Sequence, residues 1–175
     1  MKKIFMGACL ALMLCGSAWG AGPVTVSTGG ALIYDPFDQE AGEAVKLEVT
    51  TEVLPNVALE LTGLISGRFD LDNNLSEEET AVSVVALGGK FMSDSQKETR
   101  GYLSLGVGAM VLNADDDALA DERRSGAVAR FGIGIEHDFS RVWALRLGAG
   151  YSQGVGGTEE ISFFDASLSI SAAAF

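Results

Sequence analysis

The sequence predicts an all-β protein, a closed antiparallel up-and-down barrel of eight strands that spans a membrane. Three observations carry this. Eight segments of ten to fourteen residues alternate apolar and polar side chains, and no segment holds a helical period. The polar face of these segments carries glycine, serine and charge, which suits a narrow lumen better than a solvated surface. The connections between segments mostly alternate long and short, as in barrels with tight turns at one end and loops at the other.

Residues 1–20 read as a cleaved secretory signal. Lys2 and Lys3 form the basic start, Ile4 to Cys15 is apolar or small, and Ala18 and Gly20 sit at the −3 and −1 positions before Ala21. The apolar run is short of the ~20 residues that a spanning helix needs. Acylation at Cys15 is disfavoured because Leu14, just before it, is not small. Residues 21–175 then form the barrel domain. This mature part keeps 24 acidic and 10 basic groups, a net charge of −14, and no cysteine. Disulfides, thiolate metal sites and cysteine nucleophiles are excluded. So is nucleic-acid binding, which needs cationic groups to neutralise phosphates.

The segments run 24–34, 44–53, 57–69, 80–92, 101–112, 126–137, 142–152 and 161–174. In 101–112 the apolar face is Leu103, Leu105, Val107, Ala109 and Val111, opposite Tyr102, Ser104, Gly106, Gly108 and Met110. In 126–137 Ala127, Ala129, Phe131, Ile133 and Ile135 oppose Val128, Arg130, Gly132, Gly134 and Glu136. In 142–152 Trp143, Leu145, Leu147, Ala149 and Tyr151 oppose Ala144, Arg146, Gly148, Gly150 and Ser152. Successive strand residues point to opposite faces, so each face is a separate environment. Strand 80–92 is the exception. Val82, Val84, Val85 and Leu87 make both faces apolar, which predicts a bulge or a locally apolar lumen.

Which face is outward is decided by the aromatics. Trp143 and Tyr151 share the apolar face eight residues apart, about 20 Å of depth at ~3.3 Å per residue and ~40° tilt. That is close to the ~25 Å between the aromatic girdles of a membrane barrel. Tyr34 and Phe69 hold similar strand-end positions. The apolar face therefore meets lipid, and an open edge in lipid is prohibitive, so the sheet closes.

The same parity places charges inside. Glu48, Glu52, Glu60, Glu136 and Asp165 face Lys46, Arg68, Lys90, Arg130 and Arg146. Eight strands leave a lumen just wide enough for side chains to fill. Buried charges must be paired, so an ion-pair network centred on Arg130, Arg146, Glu60 and Glu136 is expected to plug the interior. The excess negative charge falls in the loops. Asp115, Asp116 and Asp117 are candidates for loose divalent-cation binding, directly or as a bridge to lipopolysaccharide. No cofactor is expected.

At this point the chain resembles the eight-stranded outer-membrane barrels: the OmpA transmembrane domain, OmpX and the opacity-type barrels. The phrases that carry the resemblance are Tyr102-Leu-Ser-Leu-Gly-Val-Gly-Ala109, Arg130-Phe-Gly-Ile-Gly-Ile-Glu136, Leu145-Arg-Leu-Gly-Ala-Gly-Tyr-Ser152 and the terminal Phe175. The resemblance implies residence in the outer membrane of a diderm bacterium. It also implies contact with outer-membrane lipid and lipopolysaccharide, and a terminal aromatic that signals to the barrel-assembly machinery. Phe175 falls on the opposite parity from Phe164, Ala166, Leu168 and Ile170, and a bulge among residues 172–174 would restore it.

Some barrels of this kind are lipid A acyltransferases or deacylases. Here His137 and Ser140 lie three residues apart, on opposite faces of a strand, so a catalytic pair is disfavoured. The reading is a monomeric, non-enzymatic surface barrel with a closed lumen and acidic external loops. The alternatives are a narrow ion or small-solute channel and a soluble periplasmic barrel for an apolar ligand.

Overall fold

The computed structural model describes residues 22–37, 40–69, 80–94, 96–114 and 124–174. The signal segment, Asp115, Asp116, Asp117 and Phe175 lie outside the described residues, as do the side chains of Arg68 and Phe69. The strands are β1 (Val24–Tyr34), β2 (Ala41–Leu54), β3 (Val57–Phe69), β4 (Thr80–Met92), β5 (Thr99–Ala114), β6 (Arg124–Asp138), β7 (Trp143–Val155) and β8 (Ser162–Ala174). Each pairs antiparallel with its chain neighbours, and β8 pairs with β1 to close the barrel.

Both ends of the strand array are defined by the connections. The turn end holds the β2–β3, β4–β5 and β6–β7 turns together with the start of β1 and the end of β8. The loop end holds the other four connections. The tightest turn is Pro55-Asn56, where Asn56 takes a φ of 66°. Proline presets the first central residue of such a turn, and asparagine tolerates the left-handed conformation at the second. In the β6–β7 turn the Ser140 hydroxyl accepts from the backbone N–H groups of Val142 and Trp143.

The apolar faces point outward. Val107, Leu32 and Leu147 are 70%, 63% and 61% exposed, while Arg146 and Lys90 are buried to 2%. This is the inverse of a soluble barrel, and it removes the soluble alternative. Outward aromatics gather near both ends. Tyr34, Phe164, Tyr151 and Phe131 are successive cross-strand neighbours over β1, β8, β7 and β6. The Tyr151 and Phe164 rings lie 5.0 Å apart. At the turn end Trp143, Phe139 and Phe91 are exposed.

Strand β4 pairs with β5 without interruption, so it has no bulge there. Its inward residues Val82 and Val84 instead join an apolar cluster with Ile33, Leu64, Met110, Leu112, Val128 and Phe163. Register shifts occur elsewhere, between Glu52 and Leu54 on β2 and between Ile65 and Arg68 on β3. The β4 and β5 backbones approach closely at Gly88 and Gly108. A Cβ at Gly88 would collide with the Leu105 carbonyl oxygen, and one at Gly108 with that of Val85. Glycine at such a point lets the sheet turn sharply enough to close.

Candidate functional site: the filled lumen

Alternation along the strands delivers a charge to the interior from most of the wall. In the turn-end half these charges converge. The Arg146 guanidinium donates from Nε to Glu136 Oε2 (2.7 Å) and from Nη1 to Glu48 Oε2 (2.7 Å). Lys90 Nζ donates to the same Glu136 oxygen at 2.8 Å. Arg100 binds the other Glu136 oxygen and also Asp138, from Nη1 to Oδ2 at 2.6 Å. Glu48 accepts from Lys46 Nζ as well, at 2.9 Å, and Lys46 reaches Ser167 Oγ at 3.3 Å.

Glu136 is thus held by three cations and Glu48 by two. Arg146, Lys90, Glu136 and Glu48 are all nearly excluded from solvent. Burial removes hydration from each charge, and only mutual pairing offsets that cost. The Tyr102 ring completes the arrangement. Lys90 Nζ lies 4.3 Å from its centroid and the Arg146 guanidinium carbon 5.6 Å. The ring occupies the space over Gly134 and Gly148, where an added Cβ would strike the phenol. Glycines on the polar face therefore seat a large side chain.

Not every expected member joins this network. Arg130 forms a separate pair with Asp165 and donates to Ser152 Oγ at 2.7 Å. Glu60 is buried on β3, but its contact is the Thr62 hydroxyl at 3.3 Å, and its Oε2 has no hydrogen-bond partner among the described residues. Among the described residues Glu136 with Arg146 forms the centre of the network, and Glu60 stands at its edge, within electrostatic reach of Lys90. Arg68 belongs to β3, with its side chain outside the described residues.

Arg100 and Asp138 were not foreseen. Their strands run past the expected limits of 101–112 and 126–137, and parity carried to the true ends would have placed Arg100 with Tyr102. Beyond this network, at the turn end, lies a polar cavity of about 230 Å³ lined by Glu52, Arg100, Asp138, Arg141 and Ser171 among others.

The loop-end half is built differently. Ile33, Leu64, Val82 and Phe163 are fully buried there, and Met110, Leu112 and Val128 pack with them. The β7–β8 connection folds over this cluster. Thr158 is fully buried beside Gly126 and Gly154, and Ile161 is buried against the cluster.

His137 does not meet Ser140. Its Nδ1 is 2.8 Å from Thr99 Oγ1 on the outer face, while Ser140 caps its own turn. Among the described residues no three acidic, histidine or cysteine side chains converge as metal ligands would.

Three comparisons place this geometry. No curated protein matches the chain by sequence. Among solved structures, Neisserial surface protein A is similar at a TM-score of 0.68 and 10% identity, over 89% of this chain and 99% of that one. The N-terminal barrel of Pseudomonas aeruginosa OprF gives 0.61 at 13% identity, over 88% and 99%. The Yersinia pestis attachment invasion locus protein Ail, in complex with the heparin analogue sucrose octasulfate, gives 0.60 at 14% identity, over 87% and 99%. At these identities the likeness is one of fold. The family model for the outer membrane protein beta-barrel domain matches residues 6–172, and the chain belongs to that family.

Proposed function

We propose that the mature chain is a closed, non-enzymatic barrel of the outer membrane, a rigid monomeric anchor that presents acidic external connections to surface partners. The observation that carries this reading is the filling of the lumen at two levels, charged at the turn end and apolar at the loop end. An ion entering from the turn end meets the Arg146 network and then the apolar cluster of Ile33, Leu64, Val82 and Phe163, and each is a barrier by itself.

The distribution of charge supports the surface role. The loop-end connections and the strand residues next to them hold sixteen of the 24 acidic groups and three of the ten mature basic groups. The lumen and turn end hold eight acids and seven bases, a near balance. The negative charge of the protein is therefore concentrated at one end. A field of that sign attracts cationic partners and cations shared with lipopolysaccharide, and its reach is set by salt. On this reading residues 1–20 export the chain, the loop end faces outward, and Phe175 addresses the assembly machinery.

Planar-bilayer recording tests the closed lumen. The purified barrel is expected to give no reproducible current steps. Discrete, salt-proportional steps would overturn the anchor in favour of a channel. Outer-membrane fractions compared unboiled and boiled on a denaturing gel test the location, with a mobility shift on boiling expected of a closed barrel.

A further inference from the structure

The polar cavity at the turn end has no part in closing the lumen, and its charges are not all used. Most of those that line it satisfy one another: Lys90 and Arg146 hold Glu136, and Arg100 holds Glu136 and Asp138. Glu52 and Arg141 are left over. Glu52 is half-buried near the end of β2, and Arg141 is exposed in the β6–β7 turn. Neither side chain has an ion-pair or hydrogen-bond partner among the described residues.

The two come from opposite walls. In a closed ring of eight strands β2 stands across from β6, which keeps Glu52 and Arg141 too far apart to pair with each other. Around Glu52 the lining is otherwise neutral, with the hydroxyls of Thr25 and Thr50 and the methyl of Ala58. Thr50 is the register partner of Glu60, whose buried Oε2 has no hydrogen-bond partner among the described residues. That wall is therefore negative. The wall of β5 to β7 carries Arg100, Arg141 and Arg146 against Glu136 and Asp138, so it keeps one cation in excess. The volume, about 230 Å³, falls below the ~300–1,000 Å³ of sites for drug-sized ligands and suits a molecule of few heavy atoms.

We propose that this cavity binds a small zwitterion of the amino-acid and short-peptide class, with its ammonium at Glu52 and its carboxylate at Arg141. A guanidinium presents parallel N–H donors to a carboxylate, and the Thr25 and Thr50 oxygens are further acceptors for an ammonium. A single contact with so open a charge is worth little. A molecule that carries both charges makes the second contact within an already formed complex, and that selects it over a simple amine or a simple acid. On the orientation proposed above the mouth opens to the periplasm, and the closed lumen behind it makes the site one of binding and not of passage.

The test is an NMR titration of the full mature barrel, isotope-labelled in lipid nanodiscs, at constant ionic strength. The probes are glycylglycine, ethylammonium and acetate. Glycylglycine is expected to give saturable shifts at the amides of Thr50, Thr51 and Glu52 and of Arg141, Val142 and Trp143, and to bind about five-fold or more tightly than either single-charge probe. Glu52→Gln and Arg141→Gln should each reduce it to the level of a single-charge probe, and Arg141→Lys should restore part of the loss. Neither side chain has a protein partner, so the heat-induced gel shift of these variants should match that of the native chain and reports folding separately. Absence of saturable shifts, or glycylglycine binding indifferent to both variants, would overturn the site. Acetate or ethylammonium binding as tightly as glycylglycine would overturn it too, in favour of a plain anion or a plain cation site.

Discussion

The two halves of the lumen solve the same problem by different physics. Toward the turns, Glu136, Glu48, Arg146, Lys90 and Arg100 fill the space with charge, and each group depends on the position of the others. Toward the loops, Ile33, Leu64, Val82, Met110 and Phe163 form an apolar cluster, where volume must match, beside the single Arg130–Asp165 pair. The apolar half draws stability from burial away from water, roughly 1.5–3 kcal/mol per fully buried large side chain. The charged half gains little net energy, but it is intolerant of any missing partner. The difference predicts that one half is fragile to chemistry and the other to volume.

Arg146→Ala should show the largest effect. It leaves Glu136 and Glu48 buried with fewer cations, and breaking a buried pair from one side costs about 3–5 kcal/mol. Urea unfolding of the barrel in lipid vesicles would measure it. The same variant should remain silent in planar bilayers, because the loop-end cluster still closes the lumen. Current steps from Arg146→Ala alone would show that the apolar half is not a barrier.

Conservative substitutions sharpen the contrast. Arg146→Lys keeps the charge but cannot reach Glu136 and Glu48 through two nitrogens of one planar group. Losing one charge-assisted hydrogen bond should cost about 1.5–3 kcal/mol. Met110→Leu in the apolar half conserves volume and should cost less than about 1.5 kcal/mol. Equal losses from the two, read from the same urea titrations, would erase the distinction between the halves.

Much of this contrast was legible in the sequence, though unevenly. Strands β1, β3 and β4 have the boundaries that alternation predicts, and the others differ by one to three residues at an end. The period of two is strong where one face is all apolar, and it weakens where ends carry mixed residues. That weakness hid Arg100 and Asp138, which lie in the first and last turns of the ladder beyond the expected limits. In β4 alternation fails because both faces are apolar, and sequence alone does not separate a bulge from an apolar lumen. Only the three-dimensional packing of Val82 and Val84 against Leu64 and Met110 decides it. Parity placed the charges inside but not their pairing. Which carboxylate meets Arg146 depends on the stagger of strands around the barrel, and that stagger brings Glu48 of β2 across the lumen to β7.

Tyr102 is the exception within the charged half, and it supports the smallest prediction. It is a large ring among ion pairs, seated on two glycines and faced by both Lys90 and Arg146. Two like charges gather on Glu136 Oε2, and the electron-rich ring face favours cations held close to it. If the ring rather than the hydroxyl does this, Tyr102→Phe should lie within about 0.5 kcal/mol of the native protein, the range of substitutions that remove no named interaction. Tyr102→Leu, which keeps apolar bulk and removes the π face, should lose a further 0.5–2 kcal/mol or so, the usual range for a cation–π contact. Both are read as shifts in the urea midpoint at constant slope. A Tyr102→Phe loss as large as that of Tyr102→Leu would assign the role to the hydroxyl. The ring would then act through its polar atom, as the other members of the turn-end network do.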